Sequence, residues 1–413
     1  MSNSSHNDSD STTRLDERKK VKWYRSTFYN ITILGLCNLS APGIWGAMNS
    51  LGAGGAQRPY LVNTANALTF CLMVVSCWLS SALVRVIGIK GALIFGTLGY
   101  APYAAGLYTN NRFGTEWLVI LGAALCGISA GVFWMAEAAI AIAYPEPWNR
   151  GKALGFWLTF RVSGQILGGA INLGLNTDRD QAGKVSYTVF LIFIALQCLG
   201  PAVALCLTPP DKVERQDGKK VDLSILNNPW FEIKQTTRLF FTKKFLLIVL
   251  FIGQAVFAEA VFFTYLSCSF LSGIVAVIGG NILGAGFGSG FAVFLFLLLG
   301  FQLNYLFLYF IIQNLSESKE EIIRYSALLR GTESAWQAVS YGLEAVPVMA
   351  HVGGVYLNFA LWGLAIFPAW LVLRHFGAAG ENGSGQGPYN TTPASDGDVE
   401  TVKEAPAGTE KAV

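Results

Sequence analysis

The stretch WLVILGAALCGISAGVFWMAEAAIAIAY, residues 117–144, contains a single charged side chain, Glu137. It is long enough to cross a membrane, because about 20 apolar helical residues span roughly 30 Å of hydrocarbon. The following apolar run, residues 153–175, also contains one charge, Arg161, of the opposite sign. Since a charge in hydrocarbon is costly, we expect each of the two to have a partner or a purpose.

The composition of the whole chain also indicates a membrane protein. Of 413 residues, 53% are hydrophobic and only 13% are charged, whereas a soluble domain carries about 25% charged residues. The net charge of +3 is small. The basic residues lie in short segments between apolar runs, so we expect no nucleic-acid partner. The seven cysteines form no CxxC pair, and we interpret them as small apolar residues.

A window of about twenty residues predicts about eleven transmembrane helices. The predicted spans are 26–48, 61–84, 91–108, 117–144, 153–175, 187–207, 245–266, 270–285, 291–312, 322–344 and 352–373. The sequence therefore predicts an all-α polytopic membrane protein.

Basic residues predict its orientation and its division into segments. They are concentrated before the first span, after the second and fourth spans, and after the sixth, which puts the N-terminus and the central linker in the cytosol. The predicted segments are a disordered N-terminus (1–25), a six-helix N-terminal bundle (26–207), a cytosolic linker (208–244), an incomplete C-terminal bundle (245–376) and a disordered tail (377–413). Within the linker, residues 224–240 fit either a helix on the membrane face or a solvated connection.

Three motifs resemble those of one family. They are GAMNSLGAGGAQ (46–57), GVFWMAEAAIAIAYPEPWNRGKALGFW (131–157) and LLRGTESAWQAVSYGL (328–343). These stretches are similar to fungal members of the uncoordinated-93-like branch of the major facilitator superfamily. The resemblance implies a two-bundle fold of six plus six helices. It also implies a transporter or an ion-channel regulatory subunit, and it supplies no substrate.

The second half departs from the pattern of that family. Almost no loop separates residue 266 from residue 270, and only GFGSG separates residue 285 from residue 291. One span is therefore predicted to be missing, as in a shortened or mis-spliced variant. An odd number of crossings places the C-terminus outside, against the distribution of basic residues. A glycan on Asn390, in the sequon Asn390-Thr391-Thr392, would show that the odd count is right.

The opposite charges on the fourth and fifth spans are predicted to form a salt bridge. At a rise of about 1.5 Å per residue, Glu137 and Arg161 lie at similar depth in antiparallel neighbours. Small residues on both helices permit close approach; they are Gly127, Gly131, Gly164 and Gly168. The pair is either a structural clamp or part of a gate or cavity wall, with Gln165 one turn from Arg161.

Further candidates lie on other spans. Glu259 has no basic residue within a helical turn, so it is either a proton-coupling carboxylate or a neutral hydrogen-bonding group. Arg330 and Glu333 are three residues apart and are predicted to neutralise each other, in a structural or a substrate-binding role. Asn38, followed by Pro42 and Gly43, predicts a kinked first helix whose carbonyls face a cavity.

The chain lacks the parts of an enzyme or a metal site. Its three histidines lie in a tail or near span ends, and we expect no catalytic residue, metal or cofactor. The sequence predicts a transporter of an unknown small solute in the lipid bilayer. The alternatives are a non-transporting regulatory or trafficking subunit for a partner membrane protein, and an inactive shortened isoform.

Overall fold

The computed structural model describes residues 21–50, 59–176, 186–221, 223, 228–257, 287–316, 318–344 and 353–381. Its helices are α1 (Thr27–Asn38), α2 (Ile44–Ser50), α3 (Pro59–Leu98), α4 (Tyr100–Phe113), α5 (Trp117–Ala143), α6 (Arg150–Asn176), α7 (Tyr187–Leu205), α8 (Pro229–Phe240), α9 (Lys243–Phe257), α10 (Phe287–Leu315), α11 (Lys319–Glu344) and α12 (Gly354–Glu381). We refer to α1–α7 as the N-terminal half and to α9–α12 as the C-terminal half.

Several of these helices are long and apolar enough to cross a membrane. Within the described residues there are five such helical units, or six if the bent pair α8–α9 counts as one span. One of the five, residues 61–113, combines α4 with α3, and α3 itself consists of two helices that meet at a non-helical Gly88. The predicted span 270–285 lies outside the described residues. The last helix runs to Glu381, so it extends past residue 376, where the tail was predicted to begin.

The regular α-helix of the first span is interrupted at the place where the sequence predicts a kink. A π-helical turn at Leu39–Gly43 contains Pro42 and separates α1 from α2. Proline has no backbone N–H and its ring disturbs the preceding turn, so the helix widens there. Gly43 lies in this turn and packs directly against Gly164 of α6.

The four predicted packing glycines do allow close approach, but between other helices than α5 and α6. Gly127 and Gly131 of α5 face backbone atoms of Thr69 and Met73 on α3. Gly164 and Gly168 of α6 face the first span instead. The prediction that these surfaces join α5 to α6 is therefore wrong, because the glycine surface of α5 packs on α3 and that of α6 packs on the first span.

The two halves meet near the middle of the bundle. Trp157 of α6 stacks on Tyr305 of α10, with ring centroids 6.3 Å apart. Phe70 of α3 stacks on Tyr341 of α11 at 5.3 Å. These buried aromatic contacts position α10 and α11 against the N-terminal half, and they enclose the space between the halves.

The linker contains a helix, α8, that packs on the bundle, so of the two alternatives for this segment the solvated connection does not hold for residues 229–240. Asn228 caps its first turn by accepting a hydrogen bond from the backbone N–H of Trp230, and Pro229 is at the first helical position. The helix meets α9 at 76°. Its outer face bears Trp230, which is 74% exposed, as expected for an interfacial anchor.

The inner face of α8 bonds to both halves. Glu232 is fully buried and accepts two hydrogen bonds from Arg324 of α11, both at 2.8 Å. On the other side, Thr236 lies 3.3 Å from Ser81 of α3. Trp78 of α3 donates to Thr237 at 3.0 Å. The linker therefore ties the halves together at this end of the bundle, which we term the linker end.

The N-terminal segment is also tied to the linker, so the predicted disorder does not extend through residue 25. The backbone N–H of Lys22 donates to Glu214 at 2.9 Å. Arg25 pairs with the same carboxylate at 3.2 Å. These two contacts, that of Lys22 foremost, hold the pKa of Glu214 below its usual value.

Replacing Gly168 by valine should destabilise the fold. A Cβ on Gly168 would lie 2.3 Å from that of Ala47, and overpacking of this kind costs about 1–3 kcal/mol. The adjacent Gly169 has nothing within 4 Å of its Cβ position. Thermal unfolding in detergent should therefore show a loss for Gly168→Val and little change for the matched Gly169→Val. Equal losses would contradict the packing described for α6.

Breaking the buried ion pair of α8 should destabilise the protein more than removing both partners. Arg324→Met leaves the Glu232 carboxylate buried without its guanidinium, which costs roughly 3–5 kcal/mol. Adding Glu232→Met should recover much of that loss, because no buried charge is left. Lys234→Met, on the exposed face of α8, is the control. Additive losses in the double variant would argue against a tightly coupled pair.

Candidate functional site

A central cavity lies between the two halves. From the N-terminal half it is lined by α2, α3, α4, α5 and α6, and from the C-terminal half by α9, α10 and α11. Its volume is about 50 Å³, which holds a few water molecules at most. Among the described residues, the charged side chains that line it are Arg161, Arg330 and Glu333.

The two arginines come from opposite halves and share the same aromatic rings. The guanidinium carbon of Arg161 lies 5.1 Å from the ring centre of Trp134 and 5.2 Å from that of Tyr305. The corresponding distances for Arg330 are 4.6 Å and 4.7 Å. Cation–π contacts within about 6 Å are attractive and strengthen when water is excluded. The rings therefore stabilise two positive charges inside the bundle.

The predicted pairing of Arg330 with Glu333 is confirmed. The guanidinium donates to the Glu333 carboxylate at 2.6 Å, and both side chains are nearly buried. Tyr309 of α10 also accepts a hydrogen bond from Arg330. This pair faces the cavity, so its structural role and a binding role are compatible.

Glu137 is fully buried, but its hydrogen bonds are not those that the sequence predicts. Its Oε1 atom accepts from Asn38 at 2.5 Å and from Trp157 at 2.7 Å. Within the described part of the chain, Oε2 accepts no hydrogen bond. A hydrogen-bonded salt bridge with Arg161 is therefore not formed. Arg161 instead faces the ring of Trp134, which is one turn before Glu137 on α5.

The other predicted site residues have separate positions. Gln165 lines the cavity beside Gly46 of α2. Asn38 bonds to Glu137 and is not among the residues that line the cavity. Glu259 lies outside the described residues. The described residues contain no group of three or more histidine, cysteine or acidic side chains placed to hold a metal.

Sequence reasoning missed the aromatic residues of the site. Trp134, Trp157, Tyr305 and Tyr309 surround the buried charges, yet an aromatic residue in an apolar span is usually a packing residue. The available signal was position: Trp134 is one turn from Glu137, and Tyr305 and Tyr309 are one turn apart on a shared helix face.

The fold and this charged central cavity define a class of protein. A search of solved structures matches the chain to the major facilitator superfamily proton:xylose symporter XylE, bound to 6-bromo-6-deoxy-D-glucose, with a TM-score of 0.51. The match covers 85% of this chain and 95% of XylE at 12% sequence identity, so it shows the fold alone. The protein is a multi-pass membrane protein with the fold of that superfamily.

Similarity to a family model and to related sequences assigns the chain to one family. The model described as "Ion channel regulatory protein UNC-93" matches residues 60–314. Notoamide biosynthesis cluster protein O' of Aspergillus versicolor is 34% identical over 417 residues, covering 86% of this chain and 90% of that protein. UNC93-like protein 1 of Arabidopsis thaliana is 28% identical, covering 59% of this chain and 52% of its own length. This chain belongs to the UNC-93 family.

The alignment with the Aspergillus protein bears on the length of the chain. It extends over 417 residues, although it takes in only 86% of the 413 residues here. The alignment therefore includes residues of the Aspergillus protein that have no counterpart in this chain. Such gaps fit the predicted loss of a segment, although they do not locate it.

Removing the tryptophan donor to Glu137 should destabilise the N-terminal half. A hydrogen bond to a charged group contributes about 1.5–3 kcal/mol, so Trp157→Phe should lower the free energy of unfolding by at least this amount. Trp148→Phe, at a residue that is 61% exposed, is the control. In a Glu137→Leu background, Trp157→Phe should cost less, because no carboxylate needs the donor. The same cost in both backgrounds would assign the loss to ring packing.

Proposed function

We propose that this protein is a secondary transporter that moves a small solute by rocking one half against the other. The observation that carries the proposal is a cavity lined from both halves, with one arginine contributed by each. Binding at the interface of the two bundles is the arrangement that alternating access requires. The proposed partners are the lipid bilayer and an unknown solute, and we propose no enzymatic activity.

The closed cavity supports a cycle of opening and closing. Its volume of about 50 Å³ is well below the roughly 300–1,000 Å³ of small-molecule sites. A solute therefore enters only when the halves part. At the linker end, parting requires α8 to release either Arg324 on α11 or Ser81 and Trp78 on α3.

The basic residues support a topology with the N-terminus and linker in the cytosol. In that topology, the linker end is the cytosolic gate. Coupling to protons through Glu259 stays a prediction from the sequence. Flux in Glu259→Gln that no longer responds to a pH gradient would support it, whereas unchanged coupling would contradict it.

A second function is a regulatory or trafficking subunit for a partner membrane protein. The family description, which names ion-channel regulation, favours it. The gaps in the alignment with the Aspergillus relative leave a third outcome, an inactive shortened isoform. Neither alternative requires the halves to move, so a test of movement separates them from the transporter.

Locking the linker end should stop transport reversibly. We expect a disulfide between Ser81→Cys and Thr236→Cys, whose hydroxyl oxygens are 3.3 Å apart, to hold α8 on α3 while Glu232 holds it on Arg324. Purified protein in liposomes should show counterflow of a radiolabelled solute from a screened panel. Oxidation should block that flux, and reduction should restore it.

The matched controls are the two variants that carry only Ser81→Cys or only Thr236→Cys, and their flux should persist under the same oxidation. Flux that survives a complete crosslink would contradict alternating access through the linker end. No flux of any solute class by the wild-type protein would remove the transporter proposal and favour the subunit.

A further inference from the structure

The central cavity presents more positive than negative charge. Its described lining contains two guanidinium groups, on Arg161 and Arg330, and one carboxylate, on Glu333. Both guanidinium carbons lie within 5.2 Å of the same two ring centres, so they are within about 10 Å of each other, where like charges repel in a low-dielectric interior. Glu137 interacts electrostatically with both arginines from outside the cavity lining and offsets part of this repulsion, and an anion inside the cavity would offset it further.

The buried polar atoms around the cavity that lack a partner are mostly donors. Within the described residues, no hydrogen-bond partner is present for Nε of Arg330, the hydroxyl of Tyr305, Nδ2 of Asn49 or Nε1 of Trp45. The side chains of Arg330, Tyr305 and Asn49 are more than nine-tenths buried. A buried donor without a partner is costly, and a carboxylate supplies acceptors only. Oε1 of Glu333 is an unpartnered acceptor of the same lining, and the unpartnered hydroxyls of Tyr100 and Tyr305 can donate or accept.

The remaining walls of the cavity are largely aromatic and apolar, and the polar side chains of Thr69, Gln165, Ser334 and Gln337 lie among them. Trp45, Phe70, Trp134 and Phe301 line it together with Tyr305. Trp45 meets Phe70 edge to face at 6.0 Å. Aromatic walls with a few convergent polar groups favour a ligand that has an apolar body and one polar end.

We infer that the central cavity binds a small organic carboxylate with a flat apolar body, whose anionic end lies between Arg161 and Arg330. The assignment of this anion as the transported solute rests on the proposed function, but its binding does not. Arg330 keeps its ion pair with Glu333 and offers its Nε–H to the ligand. Because the closed cavity is small, binding accompanies parting of the two halves.

The test is equilibrium binding to the purified full-length protein, followed by tryptophan fluorescence because Trp45 and Trp134 line the site. The probe is benzoate, and its neutral and cationic counterparts are benzamide and benzylamine. Benzoate should quench saturably, with an affinity at least about tenfold above that of either counterpart. Equal binding of the three, or no binding of benzoate, would overturn the inference.

Variants separate the site from the fold. Arg161→Gln should weaken benzoate binding at least about tenfold, and so should Arg330→Gln. Because either change risks misfolding, Tyr305→Phe is the second variant: it keeps the ring under both arginines and removes only the hydroxyl donor. It should weaken binding about fivefold, whereas Tyr356→Phe, which is 71% exposed, should leave binding unchanged. Unchanged binding in folded Tyr305→Phe and Arg161→Gln would overturn the site.

Inorganic phosphate and chloride distinguish an organic carboxylate from a simple anion. Binding of either as tight as that of benzoate would overturn the assignment to an organic ligand. Measurement of solute flux separates the anion site from the transporter proposal. Benzoate binding without flux of any solute removes the transporter proposal and keeps the anion site. Flux of neutral solutes with no benzoate binding removes the anion site and keeps the transporter.

Discussion

The arrangement of this protein depends on keeping two arginine side chains charged inside an apolar bundle. A charge at the centre of a membrane helix costs about 2.5–3.5 kcal/mol or more. Here the faces of Trp134 and Tyr305 stabilise both guanidinium groups, and each ring comes from a different half. The same contacts that make the charges tolerable therefore also join the halves. The cation–π contacts that cross between the halves are made while the halves are closed upon each other.

Burying a carboxylate is costly, and Glu333 and Glu137 are stabilised against this cost in two different ways. Glu333 pairs with Arg330 on its own helix, whereas Glu137 relies on two neutral donors, Asn38 and Trp157, from two other helices. The second solution fixes the kinked first span against α6, next to the glycine contact of Gly43. Glu137 thus stabilises the N-terminal half. The charged groups that line the cavity are others, namely Arg161, Arg330 and Glu333.

The linker helix shows how a polar segment becomes part of the packed bundle. Its sequence fits both a surface helix and a solvated connection, because an amphipathic pattern does not say what covers the polar face. Tertiary packing places Glu232 against Arg324 and Thr236 against Ser81. Both contacts join residues distant in sequence, and together they tie the two halves to each other at the linker end.

The sequence by itself determined the membrane class, most of the helix positions, the helix irregularity at Pro42 and the pairing of Arg330 with Glu333. These follow from hydropathy, from proline chemistry and from the three-residue spacing on one helix, all of which are local. Only the tertiary structure decided the partners of Glu137 and Arg161. Depth along a helix is readable from residue number, but the rotation of each helix and the choice of its neighbours are not. Those depend on how glycine and aromatic surfaces of distant helices fit together, which no single span encodes.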